Sequence, residues 1–111
     1  MIKGFDVVFL VDAEEFLNKL DDRAKRKIIG NIFKSRYMMN ADLFKKLHHD
    51  IWEFRTIHLR RHFRFLAFWD KRQHPVKVVV THGVLKKSDK LPHHEIEKAL
   101  NIKSQYLKEE R

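Results

Sequence analysis

Residues 5–11, Phe-Asp-Val-Val-Phe-Leu-Val, form an apolar run rich in β-branched and aromatic side chains and predict a mostly buried strand. Asp12-Ala13-Glu14-Glu15 then has the form of a capping box, an acceptor at the N-cap with a carboxylate three residues on. Phe16, Leu17 and Leu20 follow at helical spacing. Asp21-Asp22 predicts the start of a second helix, with Ala24, Ile28, Ile29, Ile32 and Phe33 on one face and Lys25, Arg26, Lys27 and Lys34 filling the other. The two helices make a hairpin over residues 13–36. Residues 37–40 connect onward, and Asn40 caps a single turn holding Leu43, Phe44 and Leu47.

Near residue 50 the hydrophobic period drops from about 3.6 to about 2. Residues 51–58 alternate Trp52, Phe54 and Thr56 against Ile51, Glu53, Arg55 and Ile57. Residues 63–69 alternate Phe63, Phe65, Ala67 and Trp69 against Arg64, Leu66 and Phe68, and residues 76–82 are Val-rich. Residues 70–75 read as a turn with Pro75 opening the next strand, and Gly83 as a sharp reversal into a basic loop over 83–91. Pro92 suits the first position of a last helix, where Ile96, Ala99, Leu100, Lys103, Tyr106 and Leu107 trace one face. The order is β-α-α-β-β-β-α: one α+β domain over residues 1–111, with a mainly antiparallel sheet, the helical hairpin on one face and a C-terminal helix.

Composition narrows the function. Cysteine is absent, which removes disulfides, cysteine zinc sites and thiol nucleophiles. The longest apolar run, residues 7–11, falls far short of the about 20 residues of a membrane span, and no signal-peptide pattern is visible, so a soluble cytoplasmic protein is expected. The net charge of +9 is polarised: residues 1–22 carry −4 and residues 23–111 carry +13. A basic domain with interleaved aromatics points to a polyanion, most simply nucleic acid; the alternative is a merely solubilising surface.

The densest chemical signal is residues 55–64, with Arg55, Arg60, Arg61 and Arg64 beside His58 and His62. Guanidinium groups bind phosphate oxygens bidentately, and charges at strand positions imply a groove rather than a core. The competing reading is a solvated sheet face with ion pairs such as Glu53 with Arg64. Lys86, Lys87 and Lys90 form a second basic cluster. The adjacent pairs His48-His49 and His93-His94 point apart on any regular element, and no metal site or cofactor is expected.

Leu43-Phe44-Lys-Lys-Leu47 with Asp50-Ile-Trp52-Glu53-Phe54-Arg55 resembles the "L..LWELR" segment of the phage-derived, HigB-like branch of the RelE/ParE toxin superfamily. Residues 62–68 resemble its "YRILYF" strand, and residues 82–96 its "HGFxKKtqktPxxEI" segment. The resemblance implies a RelE-like fold and a type II toxin that cleaves mRNA in the ribosomal A site. It also implies a cognate helix-turn-helix, HigA-like antitoxin. Arg55 and Arg64 match the family's basic strand positions, and Lys86 and Lys87 its post-strand cluster. Two departures stand out: the 58–62 turn is more basic than the family's, and no tyrosine near the start of the last helix matches the RelE-branch tyrosine.

On that reading Arg64, Arg55 and Lys86 hold the charge of the transition state. His58, His62 and Glu53, in that order, move protons, and Arg60, Arg61 and Lys87 bind RNA. Replacing Arg64 by Ala is expected to lower cleavage by about 10²–10³ with the fold intact. A ParE-like gyrase inhibitor and a non-catalytic nucleic-acid-binding module are the alternatives.

Overall fold

The computed structural model describes residues 4–109; residues 1–3 and 110–111, the ends of the stretch expected to form one domain, lie outside the described residues. The elements are β1 (Asp6–Phe9), α1 (Val11–Asn18), α2 (Asp22–Ser35), β2 (Phe44–Lys46), β3 (Trp52–His58), β4 (Arg61–Asp70), β5 (Lys77–Lys86) and α3 (His93–Glu109). They build one five-stranded mixed sheet in the order β1-β5-β4-β3-β2. β1 pairs parallel to β5, and the other pairings are antiparallel.

One sheet face carries Phe54, Phe63, Phe65, Val78 and Val80 and is closed by Ala13 and Leu17 of α1 and Ala24, Ile28 and Ile32 of α2. The other carries Leu66, Phe68 and Val79 and is covered by Ala99, Ile96, Leu100 and Tyr106 of α3. The α+β class, the hairpin and the C-terminal helix are as the sequence pattern predicts. A register shift between Leu66 and Ala67 opposes Leu66 to His82 and Ala67 to Val80, leaving Thr81 as the extra residue of a bulge.

Four local readings change. The turn capped by Asn40 forms, with Asn40 Oδ1 accepting from Asp42 N at 2.8 Å and its carbonyl from Leu43 N and Phe44 N. It stops at Leu43 and gives way to β2, because Phe44 pairs with Phe54 and stacks on it at 4.2 Å while Lys45 and Lys46 are exposed. The capping box does not form: Leu10 is the N-cap of α1, and Asp12, already inside the helix, turns to Lys98 of α3 at 3.5 Å. Asp21 does cap α2 by position, but its carboxylate accepts from Arg61 at 3.2 Å. Gly83 makes no reversal and lies within β5, which runs on to Lys86. A Cβ there would sit 2.4 Å from the Phe16 ring and 2.8 Å from the Phe65 ring, two rings packed edge to face, so close packing of α1 on the sheet requires this glycine.

The β3–β4 connection is a two-residue turn, Leu59-Arg60, with φ of 50° and 65°. Asn-Gly is the usual solution for such a turn, and β-carbons here store about 1–2 kcal/mol per residue.

Two polar clamps fix α3. Buried His82 contacts Thr81 Oγ1 at 2.9 Å through Nδ1 and Glu95 Oε1 at 3.1 Å through Nε2. Burial holds its pKa down against the pull of Glu95, and Thr81 Oγ1 also donates to Leu66 O at 3.2 Å. At the other end Asp70 accepts from Arg72 Nε and Nη2, both at 2.9 Å, and from the Tyr106 hydroxyl at 3.0 Å. The Arg72 side chain, above all, holds the Asp70 carboxyl far below the usual carboxylate range. Replacing Asp70 by Asn should lower the unfolding free energy by about 1.5–3 kcal/mol at neutral pH. A depressed folded pKa gives stability that is complete above the unfolded value near about 4 and lost as pH falls through the folded one. The gap between wild type and variant in urea melts should therefore hold from pH 7 to about 4 and close only in stronger acid. A gap that closes above pH 5 contradicts this assignment.

Candidate nucleic-acid interface

Cross-strand pairing decides which predicted residues meet. Arg55 stands opposite Arg64, Ile57 opposite His62, and His62 opposite Lys86. Directly opposed residues share a face, and side chains two apart share it too. Glu53, Arg55, Arg64, His62 and Lys86 therefore lie on one face of β3-β4-β5, the face α3 covers at its other end.

His58 and Arg61, opposed to each other, lie on the reverse face. Arg61 lies over the Phe63 ring at 5.2 Å and reaches Asp21 at the start of α2. His58, first in the sequence ranking for proton transfer, is thus separated from the arginines, while His62 is with them. A strand reverses side-chain direction at each residue, so His58 is one position out of phase with Ile57.

The centre of the face is Glu53. Its carboxylate lies between Arg55 Nε at 3.5 Å and Arg64 Nε at 3.6 Å. Glu53 is 5% exposed and Arg64 2%, so the pair anticipated on a solvated surface is instead a buried one. Both contacts are ion pairs at longer than hydrogen-bonding range, and both Nε–H groups are buried without an acceptor among the described residues. Nη1 of Arg64 donates to Phe63 O at 3.2 Å, and Nη1 of Arg55 to Ala41 O at 3.4 Å. Burial pushes the Glu53 carboxyl up, against the pull of Arg64, Arg55 and Lys86. It also holds the Arg64 guanidinium down, with Glu53 opposing.

Two clefts open from this face. One, of about 510 Å³, is lined by Arg60, His62, Lys86, Lys87, Ser88 and Asp89. The other, of about 370 Å³, wraps the free edge of β3 beyond β2 and is lined by Lys27, Asn31, Asp42, Leu43, Arg55, Ile57 and Arg64. Lys27 and Asn31 were no part of the sequence reading, which left Lys27 on the solvent side of its helix. α2 crosses the β3 edge so that Lys27 Nζ donates to Ile57 O at 2.5 Å and Asn31 Nδ2 to Thr56 Oγ1 at 3.0 Å. Nothing in the local pattern signals that crossing.

The burial of Arg64 gives its Ala replacement a stability cost that the sequence reading did not count. Arg64→Ala strands a buried carboxylate with only Arg55 beside it and should destabilise by about 3 kcal/mol. Replacing both charges, Glu53→Gln with Arg64→Met, should recover much of that loss. The check is urea unfolding of both variants. A wild-type midpoint for Arg64→Ala contradicts the buried pair.

The comparisons with known proteins bear on this basic face. No curated protein matches the chain. The family model described as "Phage derived protein Gp49-like (DUF891)" matches residues 15–104, from α1 through most of α3. This span includes the whole basic face and both clefts. The chain therefore belongs to the Gp49-like phage-derived family, a toxin–antitoxin toxin family of the RelE/HigB type.

Proposed function

We propose that the protein is a HigB-like toxin that cleaves mRNA on the ribosome, in the cytoplasm, under the control of a helix-turn-helix, HigA-like antitoxin. The observation that carries this reading is the pair of buried, unmet Nε–H groups of Arg55 and Arg64 on a face that also holds His62 and Lys86. Buried donors without acceptors are costly, and a phosphate oxygen can satisfy that of Arg55, whose side chain is part-exposed. Family membership implies an antitoxin partner. Among the described residues no helix is long and apolar enough to cross a membrane.

RNA carries its own nucleophile, the 2′-OH. Its oxygen attacks the adjacent phosphorus, the bond to the 5′ oxygen breaks, and the products are a 2′,3′-cyclic phosphate and a 5′-hydroxyl. His62 takes the 2′ proton, and water supplies the proton that turns the leaving 5′ oxygen into a hydroxyl. Lys86, directly opposite it, faces the negative charge that grows on the nonbridging and leaving oxygens. Arg55, its side chain 29% exposed, contacts the phosphate. Arg64 is too buried to do so directly; through the Glu53 carboxylate it holds Arg55 in place. Arg60 and Lys87 line the same cleft as His62 and Lys86 and extend the cationic track.

The test is primer extension on a message translated by purified ribosomes. His62→Ala should lower cleavage by about 10²–10⁴ and Lys86→Ala by about 10²–10³, with circular dichroism unchanged. His58→Ala and Lys90→Ala should cleave as wild type. An uncut message with gyrase supercoiling blocked assigns the protein to gyrase inhibition instead. RNA binding without cleavage assigns it to the non-catalytic class.

A further inference from the structure

Seven large hydrophobic side chains are exposed among the described residues, and four of them, Phe33, Tyr37, Met38 and Met39, lie together at the C-terminal end of α2. Phe33 continues a stripe of exposed helical positions, Arg26, Gly30 and Phe33, flanked by Arg23 and Lys34, and Tyr37 extends it into the turn after the helix. Gly30 is the anomaly. It sits in the interior of a 14-residue helix, where glycine is the poorest former after proline. A Cβ built there meets nothing within 4 Å, so nothing inside the molecule asks for its absence. The effect is a notch in the exposed surface through which another backbone can approach.

The rings beside the notch are held in place. The Arg36 guanidinium carbon lies 5.2 Å from the Phe33 ring centre and 5.8 Å from that of Tyr37. Arg36 is itself fixed, its Nε donating to Phe5 O at 2.7 Å and its Nη2 meeting Asp6 at 3.4 Å. An apolar surface that is rigid before binding loses little freedom on binding. The charge around it is positive, which repels a second copy of this chain and favours an acidic partner.

We propose that the Arg26–Gly30–Phe33 stripe of α2, with Tyr37 in the turn that follows it, is the docking surface for an acidic amphipathic helix of the antitoxin, packed close over Gly30. The inference rests on the toxin–antitoxin reading. It places the partner on the outer face of α2, away from the sheet face that carries His62 and Lys86.

The experiment uses the full chain and the helix-turn-helix protein encoded beside it, co-purified and titrated by calorimetry, with ribosomal cleavage measured in parallel. Gly30→Trp, which has open space to fill, and Phe33→Glu should each weaken the complex by at least about 30-fold while cleavage and circular dichroism stay unchanged. Gly30→Ala should raise the melting midpoint of the free toxin by about 4 °C yet weaken the complex, a pair of opposite signs that a purely structural glycine does not give. Binding of the wild type should weaken as salt rises. If the wild type forms a complex that Gly30→Trp and Phe33→Glu leave intact, the docking surface is wrong and the toxin–antitoxin reading stands. If the variants instead lose cleavage, α2 serves RNA or ribosome and the proposal falls. If the wild type forms no complex at all, both fall.

Discussion

The structure depends on an inequality of cover. The α1–α2 hairpin closes one face of the sheet along the β3–β5 strands, whereas α3 closes the other only over Ile51, Leu66, Phe68 and Val79. Its 17 residues reach about 25 Å, and two polar clamps, His82–Glu95 and Asp70–Tyr106, hold it over that half. The bulge at Thr81 stands at the border between the halves. By adding one residue to β5 it lets Val79 meet α3 while His82, on the same face, reaches back to the first turn of that helix. Beyond it the face belongs to Glu53, Arg55, Arg64, His62 and Lys86.

Those residues are a poor choice for stability and a good one for binding an anion. Burial pushes the Glu53 carboxyl up and the Arg64 guanidinium down, and each restrains the other. A well-packed apolar pair in the same volume is often at least as stable. The contacts at 3.5 and 3.6 Å leave both Nε–H groups unmet, and the adjoining turn places Leu59 and Arg60 in left-handed backbone. Unmet donors and backbone strain converge on one end of one hairpin. Such costs persist where the surrounding sheet over-determines the geometry, and they concentrate at functional sites.

The architecture was legible where the period was long enough to read. Period 2 over residues 51–58 and 63–69 located β3 and β4, and the 3.6 repeat located α2 and α3. It failed for β2, whose three residues cannot show a period, and for Gly83, where the demand comes from the Phe16 and Phe65 rings rather than from the chain's own path. The site was half legible. Composition brought out the cations around residues 55–64, and alternation placed Arg64 with Leu66 and Arg55 with Glu53. Which strand faces coincide is a matter of register, fixed by a turn with neither Gly nor Asn to announce it. Register removes His58 from the arginines and joins His62 to Lys86. The contribution of Lys27 and Asn31 required the crossing of α2 over the β3 edge.

The lopsided charge of the sequence acquires a structural meaning through where the acids go. Asp6, Asp12 and Asp21, from the acidic first 22 residues, reach Arg36, Lys98 and Arg61 and bind β1 and the helices into the body of the fold. Asp50 and Asp70 do the same toward Lys103 and Tyr106 of α3. Carboxylates are thus used at the junctions between elements, where ion pairs and hydrogen bonds set orientation. Among the described residues Arg60, Lys86 and Lys87 have no carboxylate within ion-pair distance, and all three line the cleft that also holds His62. Unpaired cations are thus gathered beside His62 at that end of the sheet. A field focused there raises the encounter rate with an anionic chain before any specific contact forms. The same +9 protein whose acids join its elements therefore keeps three of its unpaired cations beside His62, apart from the basic residues of α2.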